Sequence, residues 1–195
     1  MCYSYSIVGY IQAKLAKSAA ILWKTKHILD YKSLHTLYYS LFLPYLTYCV
    51  EVWGNTYKTT LQPICTIQKR ALRTINKAGY RDHTNPLFIK SHMLKFLDLV
   101  KFRTAQIMYK ARNNLLPKNI QGMFSEREGG YNLRGDLNLK KPKVRTNMKS
   151  MCVSSCGVTL WNSLETEIKQ SANINLFKKR YKKIFLNQYM AEEVC

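Results

Sequence analysis

The side chains of this chain best equipped for chemistry are cations. Lys69, Arg70, Arg73 and Lys77 share one arc of a helical pattern, and Tyr80 and Arg81 follow just beyond. A second run, Lys178, Lys179, Arg180, Lys182 and Lys183, is interleaved with Phe177, Tyr181 and Phe185. Ammonium and guanidinium groups at this density neutralise phosphates without reading base sequence. Aromatic rings among them can stack on unpaired bases. Lys69, Arg70, Arg73, Lys77 and Arg81 are therefore the expected phosphate-tracking line, and Lys178, Lys179, Lys182 and Lys183 a second. Phe177, Tyr181 and Phe185 recur at helical spacing, which assigns most of those rings to a core rather than to a ligand.

Other chemistries lack their residues. Nucleotide polymerisation needs two or three carboxylates converging on divalent ions, but Asp30, Glu51, Asp82 and Asp98 are isolated and Glu192-Glu193 stand near the end of the chain. None of His27, His35, His83 and His92 begins a His-x-Asp pair, and no glycine-rich phosphate or dinucleotide loop is present. Cys152 and Cys156 are four apart, but zinc would need two more ligands at suitable spacing. They read as two small packed residues. The expectation is a chain without catalytic residues, metal or cofactor of its own.

Composition points the same way. The formal net charge is +20, from 31 Lys and Arg against 11 Asp and Glu. Such an excess repels itself in a compact state and favours a polyanionic partner, RNA or DNA before an anionic membrane. With 47% apolar residues the chain can build a core and is not generally disordered. The six cysteines show no framework spacing and no secretory leader is legible, so reduced thiols in an intracellular protein of the nucleus or cytoplasm are expected. The most apolar stretch, Ser33 to Val50, is interrupted by Pro44 and loaded with tyrosines, which suits a buried helix better than a membrane span.

Helices must present these cations. Ile7 to Leu29 reads as a first helix, with Ile11, Leu15, Ala19 and Leu22 inward and Lys14, Lys17 and Lys24 off that stripe. Asp30 is placed to cap a second, in which Leu34, Leu37, Leu41, Tyr45, Cys49 and Trp53 recur and Tyr38, Phe42 and Leu46 widen the face. So apolar a helix belongs at the centre, kinked by Pro44 and ended by Gly54-Asn55. Thr59 or Thr60 should cap a third, with Pro63 in its first turn, Ile64, Gln68, Leu72 and Ile75 inward, and Gly79 in a left-handed position past its end. A turn of helix at Asn85-Pro86 and helices near Leu97–Asn113, Val158–Gln170 and Asn173–Gln188 follow, the last capped by Asn173. Between Pro117 and Ser150, Gly122, Gly129, Gly130, Gly135 and Pro142 break any long helix and leave Arg134, Lys140, Lys141, Lys143 and Arg145 on an exposed, extended stretch around Asn132–Lys143. The expected fold is mainly α, a bundle of about five to seven helices with a Gly/Pro-containing basic linker before a C-terminal helical pair. Its expected divisions are a basic helical bundle over 1–116, a basic linker or loop over 117–150 and a C-terminal helical segment over 151–195.

Several of these stretches, in this order, resemble the region that follows the polymerase core in reverse transcriptases of non-LTR retrotransposons, the jockey-like group especially. Leu37-Tyr38-Tyr39-Ser40-Leu41, Pro44-Tyr45-Leu46-Thr47-Tyr48 and Trp53-Gly54 begin the match, and Ile67 to Arg73 is similar to that group's "LQkkalR" helix. Leu160-Trp161-Asn162-Ser163-Leu164 resembles its "lWNsLP" signature, and Phe177-Lys178-Lys179 its "FKk" turn. The resemblance spans roughly Ala16 to Tyr189. It implies a thumb or post-thumb region that grips template RNA or primer duplex. The Tyr-x-Asp-Asp palm motif of a complete polymerase is not in this sequence, and Glu165 stands where the family often has proline. The reading is a non-catalytic, nucleic-acid-binding fragment of an RNA-directed DNA polymerase, with RNA or DNA and the missing palm as its implied partners. Two alternatives stand beside it. One is a structural or protein-interaction helical module. The other follows from Ala13 to Leu46, which is also similar to a short segment of a tRNA-modifying AlkB-family homologue and would imply an oxygenase or a methyltransferase. The absent His-x-Asp pair and cofactor loop argue against either activity.

Overall fold

A computed structural model describes residues 2–125 and 138–194. Gly129, Gly130, Asn132, Arg134 and Gly135 of the expected linker lie outside the described residues, as does Cys195. The chain is mainly helical, with no strand among the described residues. Its contacts divide it into two compact units, Met1–Leu99 with Phe185–Cys195, and Val100–Ile184. Residues 100–116 group with 138–184, and Thr104, Ala105, Met108 and Ala111 among them are buried.

In the first unit, helix α1 (Cys2–Thr25) packs most extensively against α5 (Lys58–Ile75). Val8, Ile11, Leu15 and Leu22 face inward, and the expected Ala19 is displaced from the stripe by Ser18, which donates to the Leu41 carbonyl at 2.9 Å. Asp30 caps α2 (Tyr31–Leu37) by accepting from the Ser33 amide. The single helix expected over 31–53 is instead four pieces: α2, a π-helical turn Tyr38–Phe42, α3 (Leu43–Thr47) and α4 (Val50–Trp53). Pro44 explains the first break. It has no N–H to donate to residue 40, and the chain widens just before it, with the Leu43 amide reaching back to the Tyr38 carbonyl. A left-handed Cys49 (φ 46°) makes the second break. The third helix begins two or three residues earlier than expected, after Tyr57, so Pro63 sits inside α5 rather than in its first turn. After α5 come α6 (Asn85–Lys90) and α7 (Phe96–Arg112).

Residues 185–194 close this unit through Tyr189. Its hydroxyl donates to Asp98 Oδ2 at 2.7 Å and accepts from the Lys95 amide at 3.0 Å. Lys95 Nζ lies 4.2 Å from the centre of the Tyr189 ring and pairs with Glu192 at 2.7 Å. Burial, reinforced by the Asp98 carboxylate, pushes the Tyr189 hydroxyl far above its usual range, so it remains a donor at any ordinary pH. Tyr189→Phe removes both bonds and little volume. The expected loss is about 1.5–3 kcal/mol, the range for a hydrogen bond to a charged group, read as a lower urea midpoint at unchanged slope. A midpoint equal to the wild type would show that this network does not hold residues 185–194 in place.

The second unit comprises the Val100–Arg112 part of α7, α8 (Lys118–Gln121), α9 (Asn147–Met151), α10 (Val153–Ser163), α11 (Thr166–Lys169) and the start of α12 (Ile174–Val194). Asn173 caps α12 by accepting from the Leu176 amide at 2.8 Å. Gly157 lets α10 lie close to α7, since a Cβ there would stand 3.0 Å from Met108 Sδ. Asn162 brackets the extended residue Leu139, accepting from its amide at 3.0 Å and donating to its carbonyl at 2.9 Å. The Tyr109 ring lies tilted against Phe177, which also neighbours Trp161 and Tyr181.

Candidate nucleic-acid interface

Helix α5 has two chemically distinct faces. Leu61, Ile64, Gln68, Leu72 and Ile75 are buried, and Lys69 and Arg70 are exposed. Its end is shaped by a lysine, a residue type that does not announce that role. Lys77, not Gly79, takes the left-handed conformation (φ 52°), with the Ala78 amide bonded to the Arg73 carbonyl and the Lys77 amide to that of Thr74. Gly79 is needed for a different reason. Its amide donates to Asp82 Oδ2 at 2.6 Å, and a Cβ on it would stand 2.9 Å from Asp82 Oδ1. Arg73 ties the same loop back, donating through Nε and Nη2 to the Asp82 carbonyl at 3.0 and 2.9 Å. Tyr80 is thereby held out at the loop tip, 77% exposed.

The packing of α1 on α5 sets a second group opposite this one. Trp23, in the last turns of α1, is 60% exposed, and Lys26 Nζ lies 4.9 Å from the centre of its ring. Together Trp23, Lys26 and His27 on one side, and Arg70, Arg73, Lys77 and Tyr80 on the other, line an open cleft of about 710 Å³. Its lining contains four Lys and Arg side chains and no carboxylate. The cleft therefore offers a phosphate-bearing ligand cations next to exposed rings.

The predicted phosphate line is thus brought together in part. Arg70, Arg73 and Lys77 share the cleft, whereas Lys69 and Arg81 are exposed outside its lining. Arg73 is half-committed to the loop. Trp23, Lys26 and His27 were missed, because their proximity to α5 is a fact of helix pairing and their own segment reads only as the end of a helix. In the second unit, α12 presents Lys179 and Lys183 to solvent, one turn apart. Lys178 and Lys182 are half-buried, and burial holds the Lys182 ammonium below its usual range. Phe177, Tyr181 and Phe185 are buried, so these rings serve packing.

Elsewhere the chemistry is sparse. Among the described residues no three His, Cys, Asp or Glu side chains gather as a metal site. The cysteine pair is not two packed residues: Cys152 is exposed at the start of α10, and only Cys156 is half-buried, its thiol pushed up to about 11 by desolvation. A second, apolar concavity of about 810 Å³ lies between α1 and the α3–α4 segment, with Tyr48 and Val52 largely exposed on it. No helix among the described residues is long and apolar enough to cross a membrane. Compared with protein-family models, with curated proteins and with solved structures, the chain matches none of them.

Proposed function

We propose that the chain is a nucleic-acid-binding module of reverse-transcriptase ancestry, which grips a template or primer strand and carries no catalytic centre of its own. The observation that supports this best is the cleft in which Arg70, Arg73 and Lys77 converge with Trp23 and Tyr80 without an opposing carboxylate. The ancestry rests on the order of the sequence motifs from Leu37 to Lys179, and the excess of positive charge supplies the long-range attraction.

Binding by phosphate contacts has a quantitative signature. The logarithm of affinity falls linearly with the logarithm of salt, by about 0.9 per duplex phosphate contact and about 0.7 per single-strand contact. Arg70→Gln with Lys77→Gln should flatten that slope by about 1.4–1.8, with little dependence on base sequence. Arg73 is left intact because it also holds the loop. The same double change at Lys14 and Lys17, which lie outside the cleft lining, should do less. Equal flattening by both double variants would mean that only the number of charges matters, and the cleft would lose its claim to be the site. The rival reading, a protein-interaction module, rests on the apolar concavity beside Tyr48 and Val52. It forecasts association with a protein partner that varies little with salt.

A further inference from the structure

We infer that the cleft receives an unpaired stretch of nucleic acid, with bases stacked on Trp23 and Tyr80, and that it discriminates against duplex. This deepens the binding reading above and rests on it. Large aromatic rings ordinarily go to the core, and this chain buries its other two tryptophans, Trp53 at 4% exposed and Trp161 at 0%. Trp23 and Tyr80, at 60% and 77%, instead stand on opposite elements of one cleft. The Tyr80 position is built, since Arg73 and Gly79 both bind Asp82 to shape the loop that carries it.

The cations fit one strand. Arg70 and Arg73 stand about 4.5 Å apart along the helix axis at 1.5 Å per residue, and Lys77 follows just past the helix end, so the three cations succeed one another along one edge of the cleft as the phosphates of a single strand do. The Lys26 ammonium beside the Trp23 ring adds a cation next to a stacking surface. At about 710 Å³ the cleft is the size of sites that hold a small ligand, room for a nucleotide or two. In a duplex the faces of the bases are already covered by their neighbours, so the two rings would contribute nothing. An unpaired strand leaves those faces free, and stacking tolerates any base.

The full chain can be titrated with two fluorescently labelled probes of equal length, an oligo(dT) or oligo(U) single strand and a hairpin duplex, following probe anisotropy for affinity and tryptophan emission for contact. Because Trp53 and Trp161 are buried, emission accessible to acrylamide reports Trp23. The single strand should quench that emission and shield it from acrylamide; the hairpin should not. Trp23→Leu and Tyr80→Leu, both surface changes, should each weaken single-strand binding roughly tenfold or more while leaving the salt slope and hairpin affinity unchanged. Hairpin binding as tight as single-strand binding, with Trp23 still open to acrylamide and both leucine variants silent, overturns the inference. If Arg70→Gln with Lys77→Gln still flattens the salt slope in that case, the binding reading survives without it. If neither probe binds in a salt-dependent way, the binding reading falls and this inference falls with it.

Discussion

Gln68→Leu should destabilise the first unit by about 3–5 kcal/mol, although leucine is apolar and the site is a core. The Gln68 side chain is 2% exposed and satisfies three groups at once. Its Nε2 donates to the Tyr38 hydroxyl at 3.2 Å and to the Leu94 carbonyl at 3.0 Å, and its Oε1 accepts from the Phe96 amide at 2.8 Å. Burial holds the Tyr38 hydroxyl far above its usual range, so it stays neutral and needs a partner. Leucine leaves these groups dry and unpaired, at about 1–3 kcal/mol each before relaxation. Against a typical total of about 5–15 kcal/mol, that is a large fraction of stability. Chemical denaturation measures it directly. A loss below about 1 kcal/mol would mean that Leu94 and Phe96 find other partners. The same glutamine clamps the 94–96 segment and the π-helical turn onto the inner face of α5, opposite Arg70. Binding should therefore fall only as far as the folded population falls, which separates this residue from a ligand contact.

Trp161→Ala is expected to cost about 3–5 kcal/mol, the range for truncating a large buried aromatic side chain. Trp161 is fully buried, with its ring 6.1 Å from Phe177, which in turn lies 4.8 Å from Tyr109 and 5.9 Å from Tyr181. Removing it opens a cavity in the aromatic cluster that joins α7, α10 and α12 within the second unit. The adjacent Asn162 holds Leu139, so the alanine variant should also expose the 138–140 segment to protease earlier than wild type. Near-wild-type melting and unchanged proteolysis would place the core of this unit elsewhere.

Periodicity and caps were legible in the chain alone. The inward face of α5 and, apart from Ala19, that of α1, the capping roles of Asp30 and Asn173, and the burial of Trp53 all follow from local spacing and local hydrogen bonding. So did the cationic arc of α5, because its members are neighbours in sequence. The breaks within 31–53 were legible only as a kink at Pro44, since whether a helix absorbs a proline by bending or by a π turn depends on what packs around it. The left-handed residue after α5 was assigned to Gly79 from residue preference, but the Asp82 carboxylate needs that glycine for close approach, and Lys77 takes the turn.

Glutamine in an amphipathic pattern does not announce three buried partners, because those partners are 26 to 30 residues away along the chain. The cleft was decided by tertiary structure alone. Trp23, Lys26 and His27 stand more than forty positions before Arg70, and no local rule links them. Only the packing of α1 on α5 puts an exposed tryptophan across from an arginine and a loop-tip tyrosine. Local energetics sets which face of each helix is apolar, whereas the pairing of those faces decides which exposed residues meet.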